Sequence, residues 1–429
     1  MWNKGLRFRQ IVAERFRTVD LGKYVTALRE SVDIVVVGGG PCGSFSALAA
    51  AERGVDVSVV EEHTEIGTPS HCAGHISIHG LKTLGIEIPS NMIENKIRMA
   101  KFYSPSGREL CIDCKKPVTY VINRVLFDRY LAELATRAGA SYLKGVSARS
   151  LLVCSNRVQG IVTGGSEEAK VKAKVVIDAE GTAAGLLRRS HFLDWRESAV
   201  VTGVQGYSSR ATDVSPESVE IYLGNDYAPG FFAWIIPTRD GNVKVGLATE
   251  RGNPRTLLER FCTKHPVASK KIQSPLSDVS FHPIPLGGPL SRTYGDDLIV
   301  VGDAASQVKP TTGGGVVFGL TCSRIAGETA AEAVEVGNYS SRFLSKYQSL
   351  WKEKLGREFR IGRLTRQILN GLSDRKIDRI FSIGRWFHVE DAFGEVSEID
   401  SEERILETSL RKPSVALALV CSVFSSLLP

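Results

Sequence analysis

At 429 residues the chain exceeds what one hydrophobic core usually holds, so two or three lobes are expected, interleaved or in series. A 43% hydrophobic and 24% charged composition with 41 glycines excludes a disordered or fibrous chain and suits an α/β protein with many tight turns. The net charge of +7 allows anionic partners, yet no basic stripe interleaved with aromatics is present, so no nucleic-acid partner is expected.

In chain order, the first 30 residues carry seven Lys or Arg against three acids, with Phe8, Ile11, Val12, Phe16 and Val19 at helical spacing. They predict a basic amphipathic helix that packs on its own domain or touches a membrane surface. Residues 32–37 (VDIVVV) predict a strand, 38–43 (GGGPCG) a glycine turn, the alanine-rich run after it a helix, and 56–62 (DVSVVEE) a second strand. Segments 97–122 predict a hairpin around Pro105-Ser106-Gly107, and 124–138 a helix. Strands follow near 150–164 and 171–178, and residues 199–249 predict an antiparallel sheet without a long helix. A buried strand at 297–302 leads into a glycine-rich turn and a helix over 316–335; beyond 340 the chain reads as helical and charged. The apolar tail from Val415 to Leu428 is interrupted by Ser422, Ser425 and Ser426, short of the roughly 20 apolar residues that span a bilayer. Eight scattered cysteines without a secretory signal predict free thiols in a reducing compartment.

Gly38, Gly40 and Gly43 fit the G-x-G-x-x-G of a dinucleotide-binding turn, between strand and helix, with Glu61 and Glu62 about twenty residues on at the end of the next strand. Gly38 permits the turn, Gly40 lets a pyrophosphate reach the backbone, Gly43 lets the helix pack closely, and the carboxylate suits a ribose diol. Two later strands end in acids with small neighbours, at 175–181 (VVIDAEG) and 298–305 (LIVVGDAA). In this order they resemble the distal motifs of the glutathione-reductase and hydroxybenzoate-hydroxylase flavoprotein class. The resemblance implies FAD as cofactor, with Asp178 and Gly181 in the second motif, Asp303 on the ribityl chain, and Pro310, Gly313, Gly314 and Gly315 presenting backbone to the flavin ring. Glu180 departs from the class, where Asp or a small residue is commoner. Arg124 matches the class's helix-leading arginine near the flavin.

Within that class the chain resembles the geranylgeranyl reductase family over most of residues 31–340. The likeness rests on HCAGHIS at 71–77, PGFFAWIIP at 229–237 and GDAASQVKPTTGGG at 302–315. It implies a flavin-facing loop at Cys72 and Ala73, with His71 and His75 beside it, and a lipid-binding strand. Against the family's P-x-x-Y-x-W-x-F-P, Pro229, Trp234 and Pro237 match, while Phe232 and Ile236 replace Tyr and Phe.

The expected architecture is α/β: a Rossmann-type FAD-binding domain from 31–95, 115–190 and 290–340, interleaved with an antiparallel-sheet substrate domain from 96–114 and 191–289. Residues 1–30 form a basic extension and 341–429 a helical region. The expected activity is FAD-dependent saturation of geranylgeranyl double bonds, with Cys72, His71 and His75 as the catalytic group. An alkene needs a proton as well as a hydride, and a thiol, with an ordinary pKa of about 8.5, can donate one at neutral pH. With one nucleotide fingerprint, the electron donor must visit: NAD(P)H, ferredoxin or a small flavin carrier. The expected location is cytoplasmic, peripheral on the inner face of the membrane. No metal site is expected, because the Cys111-x-x-Cys114 pair lacks further ligands. A flavin-dependent monooxygenase or halogenase, and a non-catalytic FAD-bearing lipid-binding protein, are the rival readings.

Overall fold

A computed structural model describes residues 30–164, 168–190, 193, 199–209 and 211–387. The basic N-terminal stretch and the tail at 415–428 lie outside the described residues.

Three sheets organise the chain. In the first, strands β1 (Ser31–Val37), β2 (Val57–Glu61), β8 (Ser141–Lys144), β11 (Ala169–Asp178), β17 (Tyr294–Gly295) and β18 (Leu298–Val300) lie in the order β17-β18-β11-β1-β2-β8. All its neighbours pair parallel except β17 with β18. β1, β2 and the end of β11 are β-branched runs because both faces are covered: Ile34, Val36, Val57, Val59, Val175 and Ile177 fill one core, Val35, Val37, Val60 and Val176 the other. β9 (Ser147–Cys154) and β10 (Arg157–Gly164) extend β11 as an antiparallel arm.

Register is what gathers the site. Val37 stands beside Val60 and Asp178, and Asp178 beside Val300. The glycine turn, Glu61, the 178–181 turn and Asp303 therefore emerge together at the carboxyl edge of the sheet, where open α/β sheets bind ligands. Under that edge the helices Pro41–Ala51 and Val316–Val336 pack closely; a Cβ on Gly327 would stand 2.2 Å from the Ser46 carbonyl oxygen.

The second sheet runs β16 (Ser277–Pro285), β12 (Val200–Ser208), β15 (Val243–Thr249), β14 (Phe232–Pro237), β13 (Ser218–Leu223), β5 (Met99–Tyr103), β6 (Glu109–Asp113). β5 and β6 are the expected hairpin, but β5 joins β13 in parallel, so the sheet is mixed and not purely antiparallel. The hairpin arrives from a distant stretch of chain, and its alternation carries no information about the direction of its partner. The third sheet, β3 (His75–Ser77), β7 (Thr119–Ile122) and β4 (Ile93–Ile97), anchors the loop that precedes it.

The helix Ser341–Asn370 buries Leu344, Tyr347, Trp351, Leu355, Phe359, Gly362 and Arg366 on one face, at spacings of three and four. Tyr347 ties it to the first sheet by donating to the Val300 carbonyl at 2.9 Å. A second helix, Asp374–Trp386, follows. Among the described residues no helix is long and apolar enough to cross a membrane.

Candidate active site

The glycine turn is built as its spacing demands. Gly38 has φ +98°, and a Cβ there would stand 2.4 Å from the Ala179 carbonyl oxygen; one on Gly43 would stand 1.8 Å from that of Gly38. A Cβ on Gly40 would meet nothing within 4 Å, so this position opens onto space. The helix that follows has Pro41 in its first turn and no side-chain cap. Its backbone N–H groups are left to an anion, the arrangement a pyrophosphate needs.

Glu61 accepts from Gly39 N at 2.6 Å and from His63 N and Nδ1 at 2.9 and 2.6 Å, so it braces the turn; Glu62 is exposed beside it. Asp178 is wholly buried and accepts from Glu180 N at 3.1 Å; burial, then Glu180, push its pKa up. Glu180 in turn accepts from Leu186 N at 2.7 Å, capping the helix Gly185–Ser190, which gives the unexpected residue a structural task. Gly181 (φ +74°) completes that turn with open space at its Cβ.

Asp303 lies beside Arg124, and burial lifts its pKa to about 6 against the pull of that guanidinium. In the 310–315 loop Pro310 is buried, Gly313 donates to the Lys309 carbonyl at 2.9 Å and Gly314 to Thr312 Oγ1 at 3.3 Å. Two of the expected flavin-facing N–H groups are thus spent inside the loop. What the loop presents is the uncapped N-terminus of the helix Val316–Val336 at Gly315, whose Cβ position lies 3.0 Å from Asp303 Oδ1.

Arg124 opens the helix Arg124–Ala138 and is held in place by Asp128, with Nε to Oδ1 and Nη2 to Oδ2 both 3.0 Å. Burial opposes its charge, but Asp128 and then Cys72 carry it above the ordinary guanidinium range. It therefore links the Cys72 sulfur to the cofactor motifs.

The Cys72 loop is pinned on several sides. Gly74 has φ +76°, its N–H lies 3.4 Å from Cys72 Sγ, and a Cβ there would stand 2.3 Å from the Ile122 carbonyl oxygen. The Ala73 carbonyl accepts from Lys244 Nζ at 3.1 Å, and the same ammonium, 3% exposed, donates to Glu94 Oε2 at 2.9 Å. His75 is held at 2.6 Å from Thr119 Oγ1. It is exposed at the start of β3. His71 stacks on His282 with centroids 5.2 Å apart and leaves Nδ1 buried without a partner. Burial, then His71 and Arg124, lower the pKa of His282 to about 4, so this ring is neutral at pH 7.

Facing that loop, Trp234 and Ile236 of β14 pack with Ala73, and Trp234 also with Phe231, Val308 and Ile284. Ala233 and Ile235 point the other way, into the core beneath the helix Pro254–Lys264. The indole ring lies over Gly246, where a Cβ would stand 2.6 Å away, and its Nε1 donates to Gln205 Oε1 at 3.0 Å. Phe232 meets the indole edge-on at 6.1 Å and stacks on Phe231 at 4.2 Å. Pro229 and Pro237 bound the strand: the Pro229 carbonyl accepts from Glu250 N, and that of Pro237 from Asn95 Nδ2. The predicted lipid strand, thiol loop and cofactor motifs thus converge. Lys244, Glu94, Gln205 and His282 were not foreseen, although a lysine and a glutamine inside apolar strands (VKVGLA, GVQGY) are a readable sign of a buried polar task.

The comparisons accord with this arrangement. An FAD binding domain model matches residues 31–349. Digeranylgeranylglycerophospholipid reductase 2 of Methanopyrus kandleri is 35% identical over 355 residues, covering 81% of this chain and 89% of the relative. That of Methanocaldococcus jannaschii is 31% identical over 392 residues, covering 90% and 97%. This chain belongs to the digeranylgeranylglycerophospholipid reductase family. The reductase is an FAD-dependent oxidoreductase. A geranylgeranyl bacteriochlorophyll reductase-like protein from Thermoplasma acidophilum superposes on the reductase with a TM-score of 0.78 at 29% identity, covering 92% of this chain and 99% of that one. The flavin-dependent brominase Bmp2, at 16% identity and a TM-score of 0.66, shares the fold alone.

Proposed function

We propose that the reductase saturates the double bonds of geranylgeranyl chains on archaeal-type glycerophospholipids. The observation that carries this reading is the apolar face of Trp234 and Ile236 packed on the Cys72 loop, with Phe231 and Phe232 at its end. A polyprenyl chain lying there has apolar contacts along its length and a thiol at one side.

Held by the glycine turn at Gly40, by Glu61 and by Asp303, reduced FAD would supply the hydride. The protein contributes the proton and the alignment. Cys72 gives its thiol proton to one alkene carbon, and the Arg124 guanidinium beside the sulfur stabilises the thiolate left behind. His71 and His282, neutral imidazoles next to that loop, return a proton from solvent, while His75 fixes the loop through Thr119. Trp234 orients the chain, its own ring set by Gln205 and Gly246. An electron donor of the NAD(P)H, ferredoxin or small flavin-carrier class docks transiently. The protein works in the cytoplasm, peripheral on the inner face of the membrane, where the basic N-terminal stretch adds charge attraction.

The test is expression in a host that makes digeranylgeranylglyceryl lipids, followed by lipid mass spectrometry. The expected result is a ladder of species, each heavier by one hydrogen pair per reduced bond. Unchanged lipid, from protein that is loaded with FAD and supplied with donor, would sink the proposal.

A further inference from the structure

The two C-terminal helices carry a surface that the reductive site does not use. Residues 341–387 contain twelve Lys or Arg against four Asp or Glu, a surplus of eight, while the whole chain has a net charge of +7. The basic excess of the protein is therefore concentrated here. At 100° per residue, Leu364 and Ile368 lie one turn apart, on the side opposite the buried row Leu355, Phe359 and Arg366; they are 56% and 67% exposed. On the next helix Trp386, opposite buried Ile377 and Phe381, is 82% exposed. Arg360 and Arg375 are exposed on the same outer sides.

A packed domain hides large apolar groups and solvates basic ones; here both point outward together. That combination suits one environment, the headgroup boundary of an anionic bilayer, where the apolar tips enter the acyl region, tryptophan sits at the interface and guanidinium groups meet phosphate. The inner side of the same helix supports this placement. Arg366 Nη2 donates to the Gly230 carbonyl at 3.0 Å and to Glu250 Oε1 at 2.6 Å, with its guanidinium 5.6 Å over the Phe231 ring. A helix resting on the bilayer is thus directly attached to the start of the strand that carries Trp234.

We propose that the outer faces of Ser341–Asn370 and Asp374–Trp386 are the surface on which the protein docks to an anionic lipid bilayer. This rests on the proposed lipid substrate, so the experiment separates the two. Full-length, FAD-loaded protein is partitioned against vesicles of equal parts phosphatidylcholine and phosphatidylglycerol, and its reductase activity is measured separately on substrate dispersed in detergent. The variant L364S/I368S/W386S, and separately R360E/R375E, should each lose at least about tenfold in vesicle partition while reducing detergent-dispersed lipid at the wild-type rate. Wild-type partition in both variants overturns the assignment. So does failure of the unaltered protein to bind these vesicles, which includes the case in which residues 388–429 cover the face. Absence of activity in detergent for the wild-type protein as well would instead overturn the substrate reading.

Discussion

At the scale of single residues, the Cys72 thiol and the Trp234 indole make the sharpest claims. Cys72→Ser should keep FAD and fold but lose at least about 10²-fold in turnover, because a hydroxyl is a far weaker acid than a thiol, and Cys72→Ala should be no better. Single-turnover oxidation of the reduced flavin by lipid reads this directly; near-wild-type rates in both variants would return Cys72 to a packed thiol. Gln205→Leu leaves the indole N–H buried without its acceptor, a loss of about 1–2 kcal/mol. The expected outcome is a KM raised about tenfold with a smaller change in kcat, since the ring that orients the chain is freed. Cys72 and Trp234 were singled out because HCAGHIS and PGFFAWIIP resemble family motifs. Gln205 was not, because its task is defined only by β14, two strands away across Gly246 of β15.

Among the elements, the glycine turn was the most legible part of the chain: one contiguous segment specifies strand, turn and helix, and each glycine meets a close approach or an opening that requires it. The 310–315 loop was less so. The resemblance implies a backbone turned toward the flavin ring, but Gly313 and Gly314 turn their N–H groups inward, a detail set by Lys309 and Thr312. Asp303→Ala should release FAD on gel filtration, and full flavin occupancy in that variant would show the loop's acid to be misassigned. Lys244→Met cuts the tie between the second sheet, β4 and the Cys72 loop, leaving the Ala73 carbonyl and Glu94 without their donor. A stability loss of about 2 kcal/mol is expected by urea unfolding, together with a fall in kcat that exceeds the change in KM. A variant unaltered in both would show that the loop is held by Gly74 and His75 alone.

For the whole molecule, acid is the expected weakness. His265 is fully buried, and its Nδ1 accepts from both Val267 N and Ala268 N at 3.2 Å, so the ring must stay neutral; burial lowers its pKa to about 4. A depressed folded-state pKa gives stability that is complete above the unfolded value near 6.5 and is lost as pH falls through about 4. His265 alone accounts for about 3 kcal/mol of that loss, with His282 acting in the same direction. Denaturation midpoints measured from pH 7 to pH 4 should fall steeply, and His265→Gln should flatten the slope.

The order of the parallel strands has a consequence for how the protein comes into being. β1 is made near the start of the chain, yet its sheet is not complete until β18, some 260 residues later, has slotted beside β11. The glycine turn and the acid at 303 are thus translated far apart, and contacts of such long range are slow to form. A ribosome-bound chain that has emerged only as far as residue 290 presents the glycine turn with β2 and β11 beside β1 but without β18 and Asp303, and should not retain flavin. Release of longer nascent chains should restore binding once the helix Val316–Val336 has emerged. Until then the open edge of β11 is exposed to pairing with other chains, so FAD supply during synthesis, more than after it, should set how much soluble protein a cell accumulates.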